Sequence, residues 1–307
     1  MTRLRANLAA ALHRHPRLQA LALLLPAGAW LAVFFAIPLG IMATYAFRPR
    51  HILGGVYPGW TMVYVARLVE PLYLVVLWRS VMLSLVTTAL ALLVSYPIAM
   101  VILRATRWRS LLLFLVVLPF WTSFLVRTYA TIFLLRDTGL INQVLQGVGL
   151  IHEPLRLLYT PGAVLFGLVT GFVPFMVLPI YASLEKIDPA LLEAAEALGA
   201  PEWRRFIRVI WPLTLPGVVV GSLLVFVPSL GSFLTSDLLG GAKVELIGNL
   251  VQNQFTSARN WPFGSALSFL LLLVVMVGML TRLRVASTKR RSLRPESALN
   301  QANGPSS

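Results

Sequence analysis

The chain has 307 residues, of which 58% are hydrophobic and only 12% are charged, and its mean hydropathy is +0.80. Because soluble domains are about half apolar and a quarter charged, this composition predicts a protein that crosses a membrane several times. The net charge of +15 comes from arginines at the ends of apolar segments, which suits lipid headgroups better than nucleic acid. Cysteine is absent, which excludes disulfides and thiolate metal sites.

Six apolar runs are long enough to cross a bilayer, which requires about 17–25 residues. They cover residues 18–47, 72–103, 111–135, 158–183, 206–230 and 262–281. The first run is longer than the roughly 7–15 residues of a signal-peptide core, so we interpret it as a retained span. The predicted fold is an all-α membrane domain of six helices at 18–283, between a basic segment at 1–17 and a basic, disordered tail at 284–307.

Basic residues are distributed unevenly between the two sides of this arrangement. Seventeen of the 26 lie on the side that carries both termini, namely Arg3, Arg5, Arg14, Arg17, Arg104, Arg107, Arg109, Lys186, Arg204, Arg205, Arg208, Arg282, Arg284, Lys289, Arg290, Arg291 and Arg294. Because cytoplasmic loops collect lysine and arginine, both termini and the loop at 185–208 are predicted to be cytoplasmic.

Proline is frequent inside the predicted spans. The positions are Pro26, Pro38, Pro97, Pro119, Pro174, Pro179, Pro212 and Pro216. Each proline removes a backbone donor and bends its helix, and neighbouring helices or enclosed water must satisfy the freed carbonyl groups. Bends in most of the spans indicate a bundle built around a cavity rather than a simple anchor.

The loop between the fourth and fifth spans is charged and rich in alanine. Asp188 suits a helix N-cap and Pro189 the first helical position, and Gly199 suits a left-handed C-terminal cap. A second helix begins near Pro201 and continues into the fifth span. The loop could instead rest on the membrane surface, but its first helix is acidic, whereas helices that bind anionic lipid are rich in lysine and arginine. A groove on a soluble partner suits it better.

The same loop resembles the EAA loop of permease subunits in binding-protein-dependent ABC importers. Glu193, Ala194 and Ala195 are followed after three residues by Gly199 and after nine more by the segment VIWP, which ends at Pro212. The family pattern ends in I-x-L-P, so Val209 and Trp211 depart from it while staying hydrophobic. The resemblance implies that Glu193, Ala194, Ala195, Gly199 and Pro212 form a cytoplasmic coupling element between the fourth and fifth helices.

Other segments resemble the spermidine/putrescine branch of this family. They are LPFWTSFLVRTYA at 118–130, FVPFMVLPIYASLEKIDPALLEAA at 172–195, SDLLGGAK at 236–243 and NWPFG at 260–264. The resemblance implies a multi-pass permease in a bacterial inner membrane, which pairs with a second permease, a cytoplasmic ATPase dimer and a periplasmic polyamine-binding protein. Related branches import opines, other organic cations or ferric iron, and these remain alternatives.

No catalytic motif is present. The three lysines are Lys186, Lys243 and Lys289, and none follows a glycine, so the G-x-x-x-x-G-K-[ST] loop that cradles phosphates is missing. We therefore expect no cofactor on this chain and expect ATP to be hydrolysed by a separate subunit. No acid, base or metal cluster at one depth suggests a membrane enzyme, and a secondary transporter without an ATPase is the remaining alternative.

Four residues are candidates for contacts with a cationic substrate. Carboxylates and aromatic faces hold ammonium groups, which singles out Asp237 after the fifth span, Trp121 and Tyr129 on the third span and Tyr181 on the fourth. Each has a structural alternative, since aspartate also caps turns and aromatic residues near span ends also anchor helices at the membrane interface.

Overall fold

The structure is a computed structural model that describes residues 16–241 and 243–291. Its helices are α1 (Pro16–Leu31), α2 (Ile37–Ala46), α3 (Val63–Arg67), α4 (Pro71–Arg104), α5 (Arg109–Val117), α6 (Phe124–Leu135), α7 (Leu140–Gly147), α8 (Pro161–Leu184), α9 (Pro189–Ala197), α10 (Glu202–Arg205), α11 (Trp211–Leu230), α12 (Leu234–Gly240), α13 (Ile247–Phe255) and α14 (Trp261–Arg291). The described residues contain one isolated bridge, between Arg50 and Val56, and no strand, which confirms the all-α prediction.

Five helical segments of the described chain are long and apolar enough to span a membrane. They are Leu24–Ala46, Pro71–Arg104, Pro161–Leu184, Glu202–Leu230 and Trp261–Gly278. These agree closely with five of the six predicted spans. The count reaches six only if a bent pair, Arg109–Trp121 and Phe124–Gly147, is taken as one span.

The third predicted span, 111–135, is broken in the structure next to Pro119, where the sequence predicts a bend. The helix ends in a 3₁₀ turn, Leu118–Trp121, and the chain then bends by 98° before α6. Pro119 cannot donate a backbone hydrogen bond, and the Thr122 hydroxyl donates to the Pro119 carbonyl at 2.8 Å. Ser123 then caps α6, since its Oγ accepts from the backbone N–H of Leu125 at 3.3 Å. A breaker followed by a cap divides this segment into two helices.

Two helical segments of the described residues contain a π-helical turn that ends two residues before a proline. The turns are Ala32–Ala36, before Pro38, and Phe206–Ile210, before Pro212. Proline lacks the donor for the preceding turn and its ring crowds the carbonyl four residues back, so a wider turn relieves the clash while the helix continues. The segment Glu202–Leu230 is therefore one helix despite Pro212.

One compact unit comprises the described residues of 69–253 together with residues 270–291. Its centre is formed by α4, α8 and α11, which pack against one another along their lengths. Small residues permit this approach: Ala91 and Ala99 are fully buried, and a Cβ atom at Gly217 would overlap the Pro179 carbonyl oxygen. The Tyr96 hydroxyl and Thr214 Oγ1 lie 2.8 Å apart between α4 and α11. Small side chains and buried hydroxyls of this kind hold membrane helices together.

The other unit combines the described residues up to 68 with residues 254–269. In it, the Arg50 guanidinium donates to the Ala258 carbonyl at 2.6 Å, and the Tyr45 and Trp261 rings stack at 6.4 Å. The Arg67 guanidinium lies 5.3 Å from the centre of the Phe263 ring. These contacts fix the segment between α2 and α3 against the start of α14.

The terminal segments are described only in part. Of the predicted basic segment 1–17, residues 1–15 lie outside the described residues. The tail was predicted to be disordered from residue 284, but residues 284–291 continue α14 as a helix. Residues 292–307 lie outside the described residues.

Candidate functional site

The loop between α8 and α11 contains a short helix with a defined start. Asp188 has extended backbone angles, and its Oδ1 accepts from the Ala190 N–H at 2.9 Å. This is the N-cap that the sequence predicts, and Pro189 follows at the position where a missing N–H costs nothing. Helix α9 therefore begins one residue after Asp188.

The corner of the loop is a left-handed cap at Gly199. Its φ is +73°, its N–H donates to the Glu196 carbonyl at 2.8 Å, and the Ala200 N–H donates to the Ala195 carbonyl at 3.1 Å. This pair of bonds is the Schellman arrangement, which satisfies the last carbonyl groups of a helix. An added Cβ would meet nothing within 4 Å, so glycine is required here by conformation and not by space.

An ion pair closes the corner from outside. Arg205 of α10 contacts Glu196 of α9 at 2.6 Å and Glu202 at 3.9 Å. The Glu196 side chain is 69% exposed, so the pair adds at most about 1 kcal/mol to stability. The backbone cap therefore sets the angle between α9 and α10, and the ion pair supports it.

The outer surface of α9 is open. Glu193 and Ala194 are exposed and Ala195 is half-buried. Leu191 and the C-cap residue Leu198 lie seven residues apart, on one face of the helix, and are 48% and 87% exposed. An apolar face left bare beside small residues on a rigid turn is a surface suited to a partner.

The last predicted coupling residue, Pro212, lies apart from this surface. It follows the π turn at the start of α11, where Phe206 and Trp211 pack against Tyr96 of α4 with ring centres 5.4 and 5.5 Å away. Trp211 stands where the family pattern has leucine, and its larger side chain reaches Tyr96 on α4. Pro212 belongs to the continuous helix Glu202–Leu230, which the corner at Gly199 connects to α9.

Tyr181 lies in a polar cluster at the other end of the loop. It is buried, its hydroxyl donates to Glu185 at 3.1 Å, and Glu185 pairs with Arg109 at 3.0 Å. The Arg109 guanidinium also lies 5.1 Å from the Tyr181 ring centre. This cluster fixes the start of α5 to the end of α8, three residues before Asp188. Sequence reasoning missed it because the partners are 76 positions apart in the chain.

The other three candidates for substrate contacts have exposed side chains. Trp121 is 78% exposed at the break before α6, and Tyr129 is 47% exposed on α6. Asp237 is exposed on α12, and its Oδ1 accepts a hydrogen bond from the amide of Asn249, which is buried. Helix α12 packs against both α6 and α8. Asn249 also donates to the Phe233 carbonyl at 3.0 Å, so it orients the Asp237 carboxylate, a role that no sequence motif indicates.

A cation lies on the same helix as Tyr129. The half-buried Arg127 donates to the Gly171 carbonyl of α8 at 3.3 Å, and its guanidinium is 5.6 Å from the Phe124 ring centre. Charged residues at membrane depth are costly and commonly functional. Among the described residues, no group of three or more histidines and acids is placed to hold a metal ion.

Comparison with known proteins identifies the family. Residues 19–290 match the family described as the binding-protein-dependent transport system inner membrane component. The chain is 44% identical over 247 residues to the spermidine/putrescine transport system permease protein PotB of Salmonella typhimurium (strain SL1344), covering 80% of this chain and 86% of that protein. It is 42% identical over 258 residues to PotB of Escherichia coli (strain K12), covering 84% and 94%.

A solved structure shares the fold. The crystal structure of a bacterial alginate ABC transporter in complex with an alginate pentasaccharide-bound periplasmic protein contains a chain that matches with a TM-score of 0.64 and 20% identity. The match covers 87% of this chain and 93% of that one. The resemblance inferred from the EAA loop is confirmed, and so is the prediction of an inner-membrane transport component rather than an enzyme. This chain belongs to the family of binding-protein-dependent transport system inner membrane components.

Proposed function

We propose that the chain is the permease subunit of an ABC importer for polyamines, which carries spermidine or putrescine across the inner membrane. The observation that carries the proposal is the identity of 42–44% to two proteins named as spermidine/putrescine permeases, over at least 80% of this chain. The opine, iron and other organic-cation alternatives have no comparable observation in their favour.

Helix α9 is proposed to be the coupling helix, on the cytoplasmic side together with both termini. The excess of arginine and lysine on that side supports this orientation. The exposed Glu193 and Ala194 would dock in a cleft of a cytoplasmic ATPase dimer, which hydrolyses ATP outside this chain. Motion of the dimer would push α9, and the cap at Gly199 and the continuous helix Glu202–Leu230 would carry the push into the membrane.

A second permease and a periplasmic polyamine-binding protein complete the proposed machine. The most apolar stretch of Leu24–Ala46 has no residue buried within this chain, which leaves that surface for lipid or for another subunit. The matching alginate transporter was solved with its periplasmic protein. By analogy, a soluble receptor would deliver the polyamine to the outer end of the spans.

Asp237, Trp121 and Tyr129 are the proposed substrate contacts. A carboxylate and exposed aromatic faces attract ammonium groups. Tyr181 would join them only if its hydrogen bond to Glu185 opened. Arg127 on α6 would repel a polycation. We therefore expect the polyamine to pass along the side of that helix that carries Tyr129, away from Arg127.

The experiment is an uptake assay with the complete transporter in a bacterial strain that lacks other polyamine importers. Labelled spermidine should accumulate, and unlabelled putrescine should compete while an opine or ferric iron should not. Glu193→Lys provides the matched control, since the exposed position should tolerate lysine while coupling fails. Uptake of an opine or of iron in place of spermidine would overturn the polyamine assignment.

A further inference from the structure

A cleft of about 550 Å³ opens between the end of α4 and the helix that leads into α11. Met100 and Arg104 of α4 form one wall, and Trp203, Phe206 and Ile207 form the other. Leu192 of α9 also lines the cleft. Because the cleft lies where two candidate spans end, it lies at the level where the membrane meets water.

The mouth of this cleft is positively charged. Arg205 and Glu202 also line it, but they are paired with each other and with Glu196. Arg104 is exposed and makes no ion pair within the part of the chain that the structure describes. Three other exposed arginines of the flanking segments, Arg107, Arg204 and Arg208, do not line the cleft. An unpaired cation in a cleft of this size calls for an anionic group.

An apolar groove lies deeper along the same two helices. Its volume is about 330 Å³, and Ala89, Leu93 and Pro97 of α4 face Phe206 and Trp211 across it. Phe206 lines both the groove and the cleft. Tyr96 also lines the groove, but its hydroxyl is bonded to Thr214. The groove therefore offers aliphatic and aromatic surface and no free polar group.

The dimensions match those of one leaflet. At a rise of about 1.5 Å per residue, Pro97 lies about 10 Å and Ala89 about 22 Å along α4 from Arg104. Half of a bilayer, with its polar headgroup region included, is about 20–22 Å thick. A charged mouth at the surface and an apolar groove at acyl-chain depth have the polarity and length of a phospholipid.

We propose that this site binds an anionic phospholipid, with its phosphate at Arg104 and one acyl chain between Leu93 and Trp211. A polyamine would be repelled by Arg104, and an apolar helix of a second permease would leave that arginine without an anion. The lipid would pack on Phe206 and Trp211, which flank the π turn between the loop and α11. It would thereby stabilise the position of that turn.

The headgroup is tested by native mass spectrometry of the delipidated full chain in detergent, with phosphatidylglycerol or phosphatidylcholine added. We expect phosphatidylglycerol to bind more tightly, and Arg104→Gln to weaken it about fivefold, the effect of one basic residue near a membrane surface. Arg107→Gln is the matched control, because Arg107 is exposed but does not line the cleft. Equal binding of the two lipids, or equal loss in both variants, would overturn the proposal.

The groove is tested with the assembled transporter. Ala89→Trp should fill the groove and abolish lipid retention, whereas Val86→Trp, at an exposed position outside the groove, should leave it unchanged. Because the chain has no cysteine, a photo-crosslinker attached at Ala89→Cys reports on one position. A product with the mass of a phospholipid supports the proposal, and a product with a second permease refutes it.

Discussion

Two glycines, one on α11 and one in the loop before it, are required for different reasons. At Gly217 on α11, a side chain would overlap the Pro179 carbonyl oxygen and the Ser183 side chain of α8. At Gly199 there is open space, but the backbone is left-handed at φ +73°. The first glycine permits two membrane helices to touch, and the second permits a surface turn. We therefore expect substitutions at Gly217 to disrupt the fold and substitutions at Gly199 to disrupt the proposed coupling.

The largest effect is expected from Gly217→Leu. The added side chain must push α11 away from α8, and overpacking of a tight contact costs about 3 kcal/mol. The thermal unfolding temperature of the purified protein should fall sharply, with a lower yield in the membrane. Gly28→Leu is the control, since a Cβ there meets nothing within 4 Å. Comparable losses in both variants would show that the α8–α11 contact is less close than described.

A smaller effect on stability but a large effect on transport is expected from Gly199→Val. A β-branched residue in the left-handed region costs about 1–2 kcal/mol, so the corner should open in much of the population and uptake should fall about tenfold. Gly199→Asn should retain most uptake, because asparagine tolerates this conformation. If valine and asparagine behaved alike, the conformation of Gly199 would not matter for transport.

Glu193→Lys tests the proposed docking of α9 on the ATPase without altering the shape of the loop. The exposed position should leave the unfolding temperature unchanged, while the reversed charge should abolish ATPase-driven uptake. Lys186→Glu, a charge reversal at another exposed position of the same loop, is the matched control. Uptake that survives Glu193→Lys would remove α9 from the coupling role.

The smallest effect is expected at the cluster beneath the loop. Arg109→Gln removes the ion pair with Glu185, in which the two side chains are 33% and 50% exposed. The free energy of unfolding should therefore fall by no more than about 1 kcal/mol. A double-mutant cycle with Glu185→Gln, read from unfolding in detergent, measures the pair itself. A coupling energy well above that value would make this cluster, and not the helix packing, the main anchor of the loop.

Local rules predicted the shape of the loop at 185–208 well, because its geometry is set by near neighbours. Asp188 and Gly199 perform the capping roles that their residue types predict. In the third predicted span, the residue type of Pro119 predicts the bend, whereas the size of the bend, 98°, and the new helix that Ser123 caps could not be predicted. Two contacts could not be predicted, namely Arg109 beside Tyr181 and Asn249 beside Asp237, since they join helices that only the tertiary fold brings together.

The central claim is that the loop around Gly199 faces the cytoplasm. A cysteine at Leu198, which is 87% exposed, is the sole cysteine of the variant chain and reports its own accessibility. A membrane-impermeant maleimide added to intact cells should leave Leu198→Cys unlabelled until the cells are opened, while Leu150→Cys, exposed in the loop predicted to face the other side, should be labelled at once. Labelling of Leu198→Cys in intact cells would contradict the account.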